Sequence, residues 1–530
     1  MRRAARVGPL AAAALVLTTG LTACEDPADD ASGGGKKGGK EKTVTASATF
    51  TEQKLSWKDC PAATPMQGTA PKPKPLSDGT RFECADMKAP LDWSKQDGKT
   101  IDIALIRAKA KDSKRRLGSL VYNFGGPGAS GVAMLPNHAP QSYMKLHSRY
   151  DLVSFDPRGI GESDGVRCLD DKAVDASGDV DATPETPAEE KRATALMHET
   201  TEACRKNSGD VLPHVDTRST ARDMDLMRQV LGDKKLNYFG ISYGTQLGGV
   251  YAHLYPKNVG KAVFDAVVDP TMGMEQDAKA QAAGFHLALS NFLKACADVG
   301  EECPTGTDPK QGMKKVEALL KKLDRKPLPT QDGRKLNETR ATNGIVSALY
   351  SEASWGELVA GLQEALSGTS GDTLLMLGDR MAGRDDKGRY ANTNNANAAV
   401  NCADQKQRFT RDDVHAKLPE MRKASPIFGP FTAWGLLGCS EWPVDGASDE
   451  TEVSAPGAAP ILVIGTTGDP ATPFEGAKRM AQGLGKGVGI HITNQGEGHG
   501  AYGAGKCATK AVDGYLLGDK VPSDGLVCKS

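Results

Sequence analysis

The chain carries no excess of charge of either sign. Its 530 residues hold 66 basic and 67 acidic side chains for a net charge of −1, so neither nucleic acid nor an anionic surface is implied as a bulk electrostatic partner. Long apolar runs are lacking too, since the one near the start is too short to span a bilayer as a helix. Neither C-x-x-C nor H-x-x-x-H spacing occurs, which removes the familiar metal-ligand patterns and leaves no metal or organic cofactor implied. No internal repeat is visible. What remains is the composition of a soluble globular enzyme, long enough for one large domain with an insertion or for two to three smaller ones.

The opening stretch, MRRAARVGPLAAAALVLTTGLTAC, sets Arg2, Arg3 and Arg6 before the apolar run, the layout of an export signal. Its end, Leu21-Thr22-Ala23-Cys24, resembles a bacterial lipobox. That resemblance implies loss of residues 1–23, lipid on Cys24 and attachment to the outer face of the cell membrane. A plain secretory signal with an incidental cysteine is the alternative. Residues 24–50 are polar and glycine-rich, as expected of a flexible tether. Beyond Cys24 stand ten cysteines, and an even number in an exported chain suggests disulfides. Pairing neighbours in order (60 with 84, 168 with 204, 296 with 303, 402 with 439, 507 with 528) closes five modest loops, although sequence alone does not determine the connectivity.

From about residue 100, short β-rich runs alternate with helical stretches, which argues for a mostly parallel sheet flanked by helices. Strands are expected at 101–109, 119–124, 150–156, 236–240, 261–268, 461–465 and 489–493. Residues 271–455 are rich in helix formers and show little period-two alternation, so they read as a large helical lid inserted before the last strands. The sheet domain then comprises 51–270 and 456–530.

Gly240-Ile241-Ser242-Tyr243-Gly244 matches G-x-S-x-G, as does Gly161-Glu162-Ser163-Asp164-Gly165. The pattern carries meaning only at a strand-turn-helix junction. Ser242 has that setting, between LNYFG and TQLGGVYAHLYP, where small neighbours allow the tight turn that lifts a hydroxyl above the sheet. Ser163 follows DPRGIGES, a loop marked by Pro157 and Gly159, and precedes a stretch too polar for a packed crossover helix. Ser242 is the candidate nucleophile.

A serine hydroxyl needs an imidazole to take its proton and a carboxylate to orient that imidazole. On this strand order the partners follow as acid, then histidine, on loops after later strands. ILVIGTTGDPATP sets Asp469 just past one strand, and GIHITNQGEGHGAYG sets His499 just past another. Asp469 as a mere turn cap and His499 as a surface histidine are the bland alternatives. His138, His214 and His253 come too early in the chain. Backbone N–H donors for a developing oxyanion are expected from YNFGGPGASG, at Gly126 or Gly125, and from Tyr243. No G-K-[ST] follows that loop, so it is not a P-loop.

Taken together, NFGGPGASG, DPRGIGES, GISYGTQLG, GDPATP and GEGHG resemble the α/β-hydrolase serine peptidases of the proline iminopeptidase and tripeptidyl aminopeptidase family. The likeness is greatest to the secreted or lipid-anchored tripeptidyl aminopeptidases of actinomycetes, and it runs over residues 55–528. It implies an α/β-hydrolase fold with a helical cap and removal of short peptides from a free N-terminus. By motif, Ser242 would be nucleophile, Asp469 the orienting acid and His499 the general base. One departure is Asn123-Phe124, where proline iminopeptidases carry a histidine before the glycines, which weakens any claim to proline specificity.

An aminopeptidase must hold an ammonium, for which carboxylates under a lid would serve. NCADQ and CSEWP put Asp404 and Glu441 beside Cys402 and Cys439, and a bridge there would keep the two acids close. Solvated loop acids are the alternative. Two other functions fit the same motifs: an esterase or lipase on the same scaffold, and a non-catalytic lipoprotein that binds peptides.

Overall fold

The computed structural model describes residues 44–448 and 451–529. The expected signal segment, Cys24 and tether residues 24–43 lie outside the described residues. The described strands are β1 (Lys58–Asp59), β2 (Phe82–Pro90), β3 (Thr100–Ala108), β4 (Gly118–Asn123), β5 (Tyr150–Phe155), β6 (Leu236–Ile241), β7 (Val259–Asp265), β8 (Leu328–Pro329), β9 (Lys335–Leu336), β10 (Ile461–Gly468), β11 (Gly489–Glu497) and β12 (Leu526–Lys529). Ten of them form one sheet in the order β1-β2-β3-β5-β4-β6-β7-β10-β11-β12. The pairs from β1 to β5 are antiparallel, and every pair from β5 through β4 to β12 is parallel.

Alternation along each strand feeds two separate cores. Val121, Val153 and Val463 pack with Met224, Leu247 and Met480 of helices Thr217–Val230, Tyr243–Leu254 and Glu475–Leu484. Their neighbours Leu120, Leu152 and Leu462 face the other way, onto Leu135, Val512 and Leu516 of helices Gly131–His138 and Lys506–Gly518. Strands β4 and β5 are buried along their full length, as a strand covered on both faces must be.

Between β7 and β10 the chain builds helices, among them Met274–Asp298, Pro309–Arg325, Glu338–Leu349, Thr393–Asp404 and Arg411–Ala424, with β8 and β9 as a small hairpin. This lid has its own apolar core. Helix Pro309–Arg325 shows why: Val316, Leu319, Leu320 and Leu323 fall on one stripe and are buried, the i, i+3, i+4, i+7 spacing of an amphipathic helix. Residues before the insertion also dock on it, for Asn337 donates to Gly178 O at 2.8 Å and Thr339 to Val180 O at 3.1 Å. The disulfides are Cys60–Cys84, Cys168–Cys204, Cys296–Cys303, Cys402–Cys439 and Cys507–Cys528, the in-order pairing. Such bridges form in oxidising compartments outside the cytoplasm.

Candidate active site

The buried strand β6 ends at Ile241, and helix Tyr243–Leu254 begins two residues on, leaving Ser242 alone at the junction with φ 58° and ψ −128°. A non-glycine residue in that region stores strain that the surroundings must hold. They do so through its backbone: Ser242 N donates to Asp265 O at 3.0 Å, and Ser242 O accepts from Thr245 N at 2.8 Å and Thr245 Oγ1 at 2.7 Å. The second motif serine has a different fate. Ser163 is fully buried, donates to Asp156 O at 2.6 Å and accepts from Ala104 N at 2.9 Å, which leaves it no role as a nucleophile.

Asp469 follows β10 and His499 follows β11. His499 Nδ1 lies 2.9 and 3.0 Å from the two carboxylate oxygens of Asp469. Asp469 is 2% exposed and also accepts from Ala471 N at 3.0 Å, Thr472 N at 2.9 Å and Thr472 Oγ1 at 3.0 Å. Those donors satisfy the buried carboxylate and keep it aimed at the imidazole. Burial works to lower the basicity of His499, but the charge and hydrogen bond of Asp469, with the charge of Asp265, outweigh it and raise the pKa. Among the described residues no hydrogen bond yet joins Ser242 Oγ to the imidazole; such contacts commonly close only with substrate present.

Three residues that the sequence did not mark hold this arrangement. Asp265, the last residue of β7, fixes the serine turn through its carbonyl, while its buried carboxylate accepts from Ala501 N at 3.0 and 3.1 Å and from Tyr502 N at 2.8 Å. One residue thus ties the elbow to the histidine loop. Thr472 braces Asp469. Tyr350, at the end of lid helix Glu338–Leu349, accepts from His499 N at 2.8 Å through its carbonyl, and its ring meets the imidazole edge-on at 5.1 Å.

The glycine loop after β4 lies against the serine: a Cβ on Gly125 would stand 2.7 Å from that of Ser242. Gly125 itself is a poorer donor than expected, because its N–H is already taken by Asn123 Oδ1 at 3.0 Å. Among the described residues the N–H groups of Gly126 and Tyr243 have no partner, so of the two loop glycines Gly126 is the one with a donor to offer. The stretch Gly126–Gly131 also carries the G-x-G-x-x-G spacing of dinucleotide loops, but lid helix Thr393–Asp404 covers it, with Thr393 O 2.3 Å from where a Cβ on Gly128 would lie. That leaves no room for a pyrophosphate.

The two acids expected to receive an ammonium have other partners. Asp404 is pushed up to about 7 by burial, and its oxygens accept from Thr217 N at 2.8 Å and from the Thr217 hydroxyl. Glu441 sits at the surface, 2.6 Å from His198 Nδ1. Each acid thus already has a protein partner. The DPRG aspartate and arginine are structural: Asp156 accepts from Ser130 Oγ and Val132 N at the start of helix Gly131–His138, and buried Arg158 pairs with Asp223 at 2.7 Å. Asp181, Glu189 and Asp324 bring carboxylate oxygens within 4.8 Å of one another, away from any triad residue in the hydrogen-bond network. A cavity of about 820 Å³ between residues 56–75 and β2–β3 has none of the triad in its lining.

A strained serine at a strand-to-helix turn, served by loops after later strands of a parallel sheet, is how α/β-hydrolases are recognised, and the fold here is of that class. Comparison with known proteins narrows it. Residues 425–528 match the family model described as TAP-like protein. Serine protease Hip1 of Mycobacterium tuberculosis is 36% identical over 461 residues, covering 84% of this chain and 87% of that one. Carboxylesterase B of the same species is 33% identical over 452 residues, 84% and 86% of the two chains. Tripeptidyl aminopeptidase of Streptomyces lividans is 29% identical over 502 residues, 91% and 88%. The chain belongs to the TAP-like α/β-hydrolase family of serine peptidases.

Proposed function

We propose that the protein is an exported serine exopeptidase that removes short peptides, tripeptides foremost, from free N-termini through an acyl-enzyme. The observation that carries this is the His499–Asp469 pair at 2.9 Å on a loop that Asp265 ties to the Ser242 turn. In this reading Ser242 Oγ attacks the scissile carbonyl while His499 Nε2 takes its proton. Asp469 keeps the Nδ1 proton in place and stabilises the imidazolium. The N–H groups of Gly126 and Tyr243 receive the oxyanion. His499 then protonates the leaving amine, and water repeats the sequence on the acyl-enzyme. The Streptomyces relative's name supports tripeptide release, and the five disulfides support export. Lipid attachment at Cys24 belongs to the same proposal and is tested by the mass of the mature N-terminus.

Ester hydrolysis is the second reading, favoured by the likeness to a carboxylesterase. One assay separates the two: chromogenic aminoacyl, dipeptidyl and tripeptidyl amides, each with free and blocked amines, beside simple esters. The proposal expects free-amine tripeptidyl amides to be the best substrates and Ser242→Ala to abolish turnover. Equal cleavage of blocked amides, or turnover of esters alone, would overturn it.

A further inference from the structure

An oxyanion hole works only if its two donors stand at a fixed separation, and here they come from different segments, Gly126 from the loop after β4 and Tyr243 from the turn after β6. From bonds at its second turn and its C-terminal end we infer that lid helix Thr393–Asp404 helps set that separation, with Asn397 and Asp404 as positioning residues. The inference rests on the serine hydrolase reading and deepens it.

On the loop side, Asn397 Nδ2 donates to Pro127 O at 3.1 Å, the carbonyl of the residue that follows the Gly126 donor. The amide cannot flip without loss, because Asn397 Oδ1 accepts from Asn401 Nδ2 at 3.0 Å. Gly128, with φ +109°, is where the helix seats; a side chain there would strike Thr393 O at 2.3 Å and crowd Asn397 N at 3.2 Å.

At the other end, Asp404 accepts from the Thr217 hydroxyl, whose oxygen lies 2.6 Å from Tyr243 OH. When Asp404 is ionised, above about pH 7, the Thr217 proton goes to the carboxylate and Thr217 Oγ1 accepts from the tyrosine, so the chain runs Tyr243 OH to Thr217 to Asp404. Tyr243 and Thr217 are both buried. Between the two ends Ala399, Val400, Cys402 and Ala403 are buried in the main core, and the Cys402–Cys439 bridge fastens the helix. From Asn397 to Asp404 the helix is a stiff rod of about 10 Å, bonded toward each half of the hole. The lid therefore adds to the direct packing of Gly125 on the serine turn in holding the two donor segments, and displacing it would shift the donors from their set positions.

The test compares wild type with Asn397→Ala, Asn397→Asp, which keeps the size but loses the donor, and Tyr243→Phe, which keeps the backbone N–H but cuts the far end. Each is assayed with a tripeptidyl amide, with a tripeptidyl aldehyde that forms a tetrahedral adduct, and with the product tripeptide. Misplacement by a fraction of an ångström to 1 Å should lower kcat by about 10- to 100-fold. Aldehyde affinity should fall in parallel, while KM, product affinity and the acid limb of the pH profile stay put. Variants within twofold of wild type in kcat and aldehyde affinity would overturn the inference, as would an equal loss of product binding, which marks general loosening of the lid. Should Asn397→Ala not fold, Tyr243→Phe decides alone. An inactive wild type would remove the hydrolase reading and this inference with it, whereas an active wild type with indifferent variants removes only the inference.

Discussion

Asp265→Asn should damage both the stability and the chemistry of this protein, through bonds that can be counted. The carboxylate accepts from Ala501 N with both oxygens and from Tyr502 N. An asparagine offers one oxygen in place of two. Loss of one hydrogen bond to a charged group costs roughly 1.5–3 kcal/mol. An amide oxygen at the Oδ2 position still reaches both N–H groups, so no donor need be orphaned and a destabilisation of roughly 1.5–3 kcal/mol is expected. The same change loosens the segment immediately after His499 and removes a negative charge that helps raise the imidazole's pKa. The acid limb of kcat/KM must therefore move to lower pH, and the rate on its plateau must fall. Urea unfolding and a pH series on a tripeptidyl amide measure both. A variant whose unfolding midpoint and acid limb both coincide with wild type would refute the role given to Asp265.

Wild-type kcat/KM should rise with pH through a single group above 6.5, because His499 must be neutral to accept a proton and its pKa is raised from that value; a flat profile across that range would contradict the base assignment. In the folded state burial holds the Asp404 pKa at about 7 against 3.8, so its contribution to stability declines as pH rises from about 4 to about 7. Asp404→Asn should remove that decline, at the cost of turning its NH2 group toward one of the two Thr217 donors; urea midpoints at pH 4.5 and 8 should differ less in the variant than in wild type. Asp223→Ala should destabilise by about 3–5 kcal/mol, since it strands the buried Arg158 guanidinium without its counter-charge, and a change under 1 kcal/mol by urea unfolding would contradict that.

What could be read from the sequence followed from burial on two sides or one. Strands β4 to β7, β10 and β11 lie under helices on both faces, so their residues form near-continuous apolar runs that stand out in the sequence by themselves. Strand β2 escaped because it is antiparallel and partly open to solvent, with Asp86 and Lys88 exposed on one side. Strand β12 escaped because its four residues alternate with exposed ones. The positions of Ser242, Asp469 and His499 were legible because each sits where an apolar run breaks into glycine or proline. Asp265 left a fainter mark, a lone carboxylate inside KAVFDAVV, which an expected strand ending at 268 concealed; an ionisable group in such a run needs partners and so deserved a structural role. Tyr350 left none, since its contact with His499 spans the lid and the sheet and arises only on folding. The acids beside the Cys402–Cys439 bridge show the remaining gap most plainly. A disulfide sets the distance between two backbones but not the side to which a neighbouring residue points. Asp404, on the inner face of its helix, turns into Thr217 and the catalytic turn, whereas Glu441, two residues past its cysteine, turns out to His198. Sequence adjacency to one constraint thus produced two residues of opposite kind, one that can act on the oxyanion donors through a buried bond and one held only by a solvated ion pair.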